Sequence, residues 1–279
     1  MFLVPAFVIY TSIVMIPTFY SLYVSLFKWN GIAPKVFVGL KNYTDLFFSD
    51  KIFLIALKNN LIWIALTLVF TMAIAMGLAL LFNKEFRGRS FFRSYFYFPY
   101  TLSIILVAIV WRRMYDPSFG FINEFLRLIN LEELTNTWTA NPKIALFCIF
   151  AAALWQSVGQ PMILFLAGLQ TLPKEVLEAA KVDGASNFRT FFSVTVPLMK
   201  ETFVIVIATQ IISSMKVYDI IKGMTGGGPA NSTQTLATYM HAQAFLYDHL
   251  GKGTAIAVVM LLMMIAIVIP YVIYTAKSE

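Results

Sequence analysis

Charge is what this sequence has least of. Only 13% of its 279 residues are Asp, Glu, Lys or Arg, about half the share of an ordinary soluble domain. A single cysteine, Cys148, excludes an internal disulfide, so cysteine usage says nothing of redox compartment. The two histidines, His241 and His249, stand without ligand-spaced partners and read as ordinary loop or interface residues. Phosphate-loop chemistry is missing too. GGGPANST has no lysine, and LGKGTA lacks the GxxxxGK[ST] spacing that cradles nucleotide phosphates. Carboxylates within the apolar runs are too few for an acid–base dyad, and no Ser/His/Asp set is plausibly placed. The chain is therefore expected neither to hydrolyse ATP nor to act as an enzyme, and to carry no metal site.

What it has instead is apolar length. Hydrophobic residues make up 59% of the chain and mean hydropathy is +0.76, more than a water-soluble fold of this size can hide. The reading is an all-α membrane protein with one transmembrane domain over 1–279. Its abundant Phe and Met are lipid-facing and packing material. A formal charge of +7 suits headgroup and cytoplasmic contacts rather than nucleic acid. Six spans are predicted, over about 2–27, 60–82, 95–114, 143–170, 202–221 and 254–276. Pro5 and Pro17 interrupt the first, and Gly159 and Pro161 the fourth. Lys28 to Asn59 is polar and rich in turn residues, and INEFLRLINL looks helical within the loop 115–142. The chain opens on Met1-Phe2-Leu3 with neither a basic flank nor a small-residue cleavage site, so no cleavable signal peptide is expected.

The stretch Thr171 to Lys200 organises the rest, because it carries both charge and helical pattern between apolar spans. Pro173 can open a short helix over 174–182. Asp183-Gly184 reads as its stop, since glycine takes the left-handed conformation without a side-chain clash. Ser186 can cap a second helix reaching about Val194, and Pro197 opens the next span. Small residues at the bend (Ala179, Ala180, Gly184, Ala185) would let another protein approach the backbone.

Glu178-Ala179-Ala180, then Asp183-Gly184-Ala185, then a hydrophobic run closing at Val196-Pro197-Leu198 resembles the EAA loop of the permease subunits of bacterial ATP-binding-cassette (ABC) importers. The GLKNYTDLF segment is also typical of these permeases. Thr225-Gly226-Gly227-Gly228-Pro229 and the later GKGTAIA run resemble the carbohydrate branch of that family, of maltose, glycerol 3-phosphate or multiple-sugar type. The likeness covers about Phe2 to Ala276. It implies a six-helix type I importer permease fold, forming half of a translocation pathway for a mono- or oligosaccharide or a polyol phosphate. It implies as partners a second permease subunit, two ATPase subunits that hold ATP and Mg, an extracytoplasmic solute-binding protein, the sugar and membrane lipid. The loop 171–201 would then be cytoplasmic, with Glu178, Ala179, Ala180, Asp183, Gly184 and Ala185 coupling to the ATPase. Both termini would face the cytoplasm, and a short basic arm would precede the first span in the native chain. Charge supports this orientation only through the cluster Lys84, Arg87, Arg89 and Arg93, since fewer than half of the 21 lysines and arginines fall on that side.

Polar groups within spans are costly in lipid and mark cavities or partner contacts. Trp155, Gln156, Gly159 and Gln160 cluster in the fourth span, and Gln210, Ser213 and Ser214 in the fifth, with Tyr218 and Asp219 at its outer end. The resemblance implies that these line the substrate path, where amides and hydroxyls suit sugar hydroxyls. Helix–helix hydrogen bonding is the other reading. Asp219, between Lys216 and Lys222, reads either as a solvated end charge or as a ligand or gate contact. A secondary transporter of small polar solutes is the alternative function. It would need buried coupling carboxylates or inverted repeats, and it leaves the EAA loop unexplained.

Overall fold

The computed structural model describes residues 3–276. The expected start of the first span at Phe2 and the basic Lys277 lie outside the described residues. Helix α1 (Val4–Val24) lays its second half against the last helix of the described chain, yet almost none of its side chains is buried. Pro17 has no N–H to give, and the turn ahead of it widens into a π-helical stretch over Thr11–Met15. A short antiparallel hairpin follows, β1 (Phe27–Lys28) with β2 (Val36–Phe37), pairing Phe27 with Phe37 and Lys28 with Val36. The turn-rich stretch 28–59 therefore holds this hairpin, helix α2 (Lys41–Phe48) and the start of the next helix.

Helix α3 (Lys51–Asn83) begins at Lys51, not at Asn60 as expected. Asp50 is the reason: its Oδ1 accepts the N–H groups of Ile52 and Phe53, both at 3.0 Å, and satisfies the first turn. The expected third span at 95–114 is two helices, α4 (Arg89–Thr101) and α5 (Ile104–Met114), meeting at 95°. Pro99 removes one ladder hydrogen bond near the end of α4, and Leu102 is extended, so the helix cannot continue straight. Helix α6 (Phe121–Leu128) realises the helical pattern in the following loop. The fourth span is α7 (Ala145–Ser157) running past Val158 into α8 (Gly159–Gln170).

Helix α9 (Lys174–Val182) and α10 (Asn187–Leu198) precede α11 (Lys200–Met215), which departs from α10 at 76°. Pro197 thus sits in the last turn before the bend instead of opening the span. The fifth span also ends early, at Met215, and Asp219 starts a separate helix, α12 (Asp219–Met224). Helix α13 (Leu236–His241) runs on into the wide turn Ala242–Leu246, and α14 (Leu250–Ala276) closes the described chain. Helices α1, α3 and α14 are each long and apolar enough to cross a membrane; counting each bent pair as one crossing brings the total to six.

Helix α3 is the spine. Its N-terminal half puts Phe53 and Ile64 into a cluster with Met215, Leu236 and Ile256. Trp63 joins a second cluster with Ala108, Ile149, Ile220 and Ile221. Met72, Ala75 and Phe82 join a third with Met162, Phe165 and Val206. Lipid tails are as apolar as these side chains, so close packing and polar contacts, rather than expulsion of water, hold the helices together.

Candidate functional site

Residues 171–200 form an exposed elbow. Pro173 takes the N-cap position of α9, one residue before its first turn. At the other end the Ala185 N–H donates to Ala180 O and the Gly184 N–H to Lys181 O, both at 3.0 Å. That pair of bonds is a Schellman cap, which requires a left-handed residue at Gly184, here with φ +75°. Ser186 caps α10, its Oγ accepting the Arg189 N–H at 3.3 Å. Glu178, Ala179, Asp183 and Gly184 are exposed, while Ala180 and Ala185 are half-buried. Val182 is 87% exposed and Phe188 75% exposed. A Cβ at Gly184 would meet nothing within 4 Å. The elbow thus exposes small residues together with two apolar side chains, of which Phe188 rests against Phe192 at a ring separation of 4.6 Å.

The polar residues of the fourth and fifth spans fall on a seam between α8, α11 and α3. Gln210 Nε2 donates to Gln160 Oε1 at 3.1 Å, joining α11 to α8. The buried Ser214 donates from Oγ to Thr67 Oγ1 at 3.2 Å, joining α11 to α3. Ser213, one residue earlier, is exposed. Gln156 is buried, with its Nε2 3.4 Å from Tyr100 O. Gly159 is buried where α8 crosses α4. A Cβ there would lie 2.7 Å from Phe96 O and 2.8 Å from Tyr97 Cα, so only glycine permits that approach. Trp155 stands half-open, edge-on to Trp111 at 5.8 Å. Tyr218 packs against His241, ring centroids 5.1 Å apart and tilted by 43°. Asp219 is exposed in the first turn of α12, and among the described residues it forms no ion pair with Lys216 or Lys222. The structure therefore brings Gln160 and Gln210 together, with Ser213 and Ser214 one turn further along α11, and leaves Trp155, Tyr218 and Asp219 apart.

A third feature escaped the sequence reading. The glycine-rich turn 225–229 folds back into the body, with Gly226 at φ +63° and Gly227 at φ +97°. Asn59 Nδ2 donates to Ser232 O and Gln234 O, both at 2.8 Å. Asn60 Nδ2 donates to Ser214 O at 3.0 Å, while its Oδ1 accepts the Leu236 N–H at 2.7 Å. Beside them Lys252 Nζ pairs with Asp50 Oδ2 at 2.6 Å, and the Tyr239 hydroxyl donates to the same oxygen at 2.6 Å. Gln243 Nε2 donates to Tyr239 Oη at 2.7 Å, and Gln243 Oε1 lies 3.0 Å from His249 Nδ1. His249 is thus tied into a network, and His241 packs between Tyr218 and Phe245. Burial by itself would raise the Asp50 carboxyl. The bonds from Lys252, Tyr239 and the Phe53 N–H outweigh it and hold the group below the usual carboxylate range. An Asp just ahead of an apolar run is a helix-start signal, and it could have exposed this anchor from sequence.

Comparison with known proteins identifies the family and the fold. Residues 70–277 match the family described as binding-protein-dependent transport system inner membrane component. The probable ABC transporter permease protein YurN of Bacillus subtilis is 34% identical, over 96% of this chain and 92% of its own length. The sulfoquinovosyl glycerol transport system permease protein SmoG of Agrobacterium fabrum is 33% identical, over 92% of this chain and 83% of its own. A crystal structure of a bacterial ABC transporter that imports the acidic polysaccharide alginate superposes with a TM-score of 0.85 at 20% identity, covering 99% of this chain and 94% of that one. The chain belongs to the inner membrane component family of binding-protein-dependent transport systems, and its fold is that of an ABC importer permease.

Proposed function

We propose that this chain is one permease subunit of an ATP-driven carbohydrate importer in a bacterial cytoplasmic membrane, with the elbow on the cytoplasmic side. The observation that carries this reading is the elbow itself: a capped, charged helix pair that leaves Val182 and Phe188 bare around an open glycine bend. Its partners are a second permease subunit, two ATPase subunits that bind ATP and Mg, and an extracytoplasmic solute-binding protein. The family's own description, binding-protein-dependent, supports the last of these. Bare α1 supports the first, since its surface is left to lipid or to another subunit.

Sugar as cargo is supported by the relative named for sulfoquinovosyl glycerol and by the amide and hydroxyl seam of Gln160, Gln210 and Ser213. Neutral amides exchange hydrogen bonds with sugar hydroxyls without burying a charge. Closure of the ATPases on ATP would push the elbow and switch the cavity from inward- to outward-facing. Such a switch needs ATP to favour one of two arrangements, and the elbow is the element through which it acts. ATPase subunits should co-purify with this chain, and hydrolysis should rise with ligand-loaded binding protein. A transporter active without any ATPase would overturn the proposal.

A further inference from the structure

We propose that the outer end of α5 is a binding site for an anionic phospholipid headgroup. Arg112 and Arg113 stand side by side in the last turn of α5, both exposed, and among the described residues neither forms an ion pair. With Ile109 and Asp116 they line an open cavity of about 300 Å³. Two guanidinium groups face one carboxylate there. Asp116 already spends Oδ1 on the N–H groups of Ser118 and Phe119, at 2.9 and 3.0 Å. The cavity is left with net positive charge and with unused fork donors suited to a phosphate diester. Of the other charges in this loop, Glu124 and Arg127 on α6 pair with each other, and Glu132 and Glu133 follow beyond α6.

Position argues for lipid rather than a soluble anion. Ile105, Leu106, Ile109 and Val110 form an exposed apolar track on α5 that leads straight to the arginines, as an acyl chain leads to its headgroup. Trp111, Tyr115 and Trp138, at ring separations of 5.6 and 6.0 Å, pack inward with Ala108 and Ile149 and hold the arginine-bearing end of α5 to the body of the protein. Helix α6 comes next and touches α5, with Phe121 and Phe125 stacked at 5.9 Å and Leu128 bare, so it presents an exposed apolar face beside the arginines' end of α5. The arginines, the apolar track and the bare face of α6 thus lie at one end of α5. The inference rests on the membrane-spanning reading of α5 and is independent of the cargo.

The test uses the assembled transporter in detergent, exposed to phosphatidylglycerol or phosphatidylcholine and weighed by native mass spectrometry. Wild type should retain phosphatidylglycerol in preference to phosphatidylcholine. Arg112→Gln with Arg113→Gln should lose that retention, on the order of fivefold for each arginine, and Arg112→Lys with Arg113→Lys, which keeps the charge but not the fork, should fall between wild type and the glutamine variant. Equal retention of the two lipids by wild type overturns the site, and needs no variant to fold. So does unchanged retention in the glutamine variant, or release of the second permease subunit with lipid retention intact, which would make the arginines a protein contact. Displacement of the lipid by millimolar inorganic phosphate would make it a free-anion site and overturn it too. Lipid retention is read directly, so its outcome is separable from that of the transport proposal.

Discussion

Asn60 on α3 and Leu236 at the start of α13 are joined by a hydrogen bond of 2.7 Å from the Leu236 N–H to Asn60 Oδ1, although most of the chain separates them. The same side chain donates to Ser214 O, so one fully buried amide ties α3, α11 and α13 together. It satisfies one terminal carbonyl of α11 and one initial N–H of α13, groups that helices cannot pair internally.

Asn60→Leu removes both bonds while keeping side-chain size. Ser214 O keeps the Val217 N–H at 3.4 Å, but the buried Leu236 N–H is left unpaired, which costs about 1–3 kcal/mol. The variant should insert but unfold at a lower temperature than wild type in detergent, measured by scanning fluorimetry. An unchanged unfolding temperature would show that the amide is incidental.

Asp50 gives the fold a pH dependence of defined sign. Its folded-state carboxyl lies below the ordinary value, so the Lys252, Tyr239 and Phe53 bonds contribute stability above the unfolded pKa, about 3.9. That contribution is lost as pH falls through the folded value. Asp50→Asn should therefore be less stable than wild type at neutral pH, and the gap should narrow only below about pH 4. Thermal unfolding of both proteins across pH checks this. A gap that is the same at all pH values would contradict the ion-paired assignment.

These anchors mark where the sequence was illegible. Local signals read correctly: Gly184 as a helix stop and Ser186 as a cap are settled by residues within a few positions. Asn59 and Asn60 read as the edge of a polar loop because their partners, Ser232, Gln234 and Leu236, lie far along the chain. The bend between α4 and α5 was missed for a different reason. Hydropathy averages over both helices, and Pro99 alone does not say whether a membrane helix kinks or breaks. Gly159, read as part of a sugar path, is explained by backbone approach to Phe96 and Tyr97.

The seam carries the cargo prediction. Gln210→Leu removes the amide that bonds Gln160 and leaves an apolar side chain of similar length. Uptake should fall or cargo preference shift while the complex still assembles. Ser213→Leu, on the exposed side of α11, should act in the same direction. Normal uptake of the same cargo by both variants, in a radiolabelled sugar assay, would reduce these residues to helix contacts.

Orientation is tested by thiol labelling in a background where buried Cys148 is replaced by Ala. Ser186→Cys, exposed on the elbow, should react only with a membrane-permeant reagent. Ser118→Cys, exposed beyond α5, should react with an impermeant one. The reverse pattern would invert the topology.

Gly184→Val tests the coupling role of the elbow most directly. The new side chain would meet nothing of this chain within 4 Å. The left-handed backbone would cost about 1–2 kcal/mol in a loop outside the membrane core. The variant should therefore insert and fold, and any larger effect must come from a partner pressed against the bend. ATPase co-purification, measured together with ligand-stimulated hydrolysis and uptake, should drop sharply in the variant while its membrane level stays normal. Wild-type values for all three would contradict the assignment of this elbow as the coupling element.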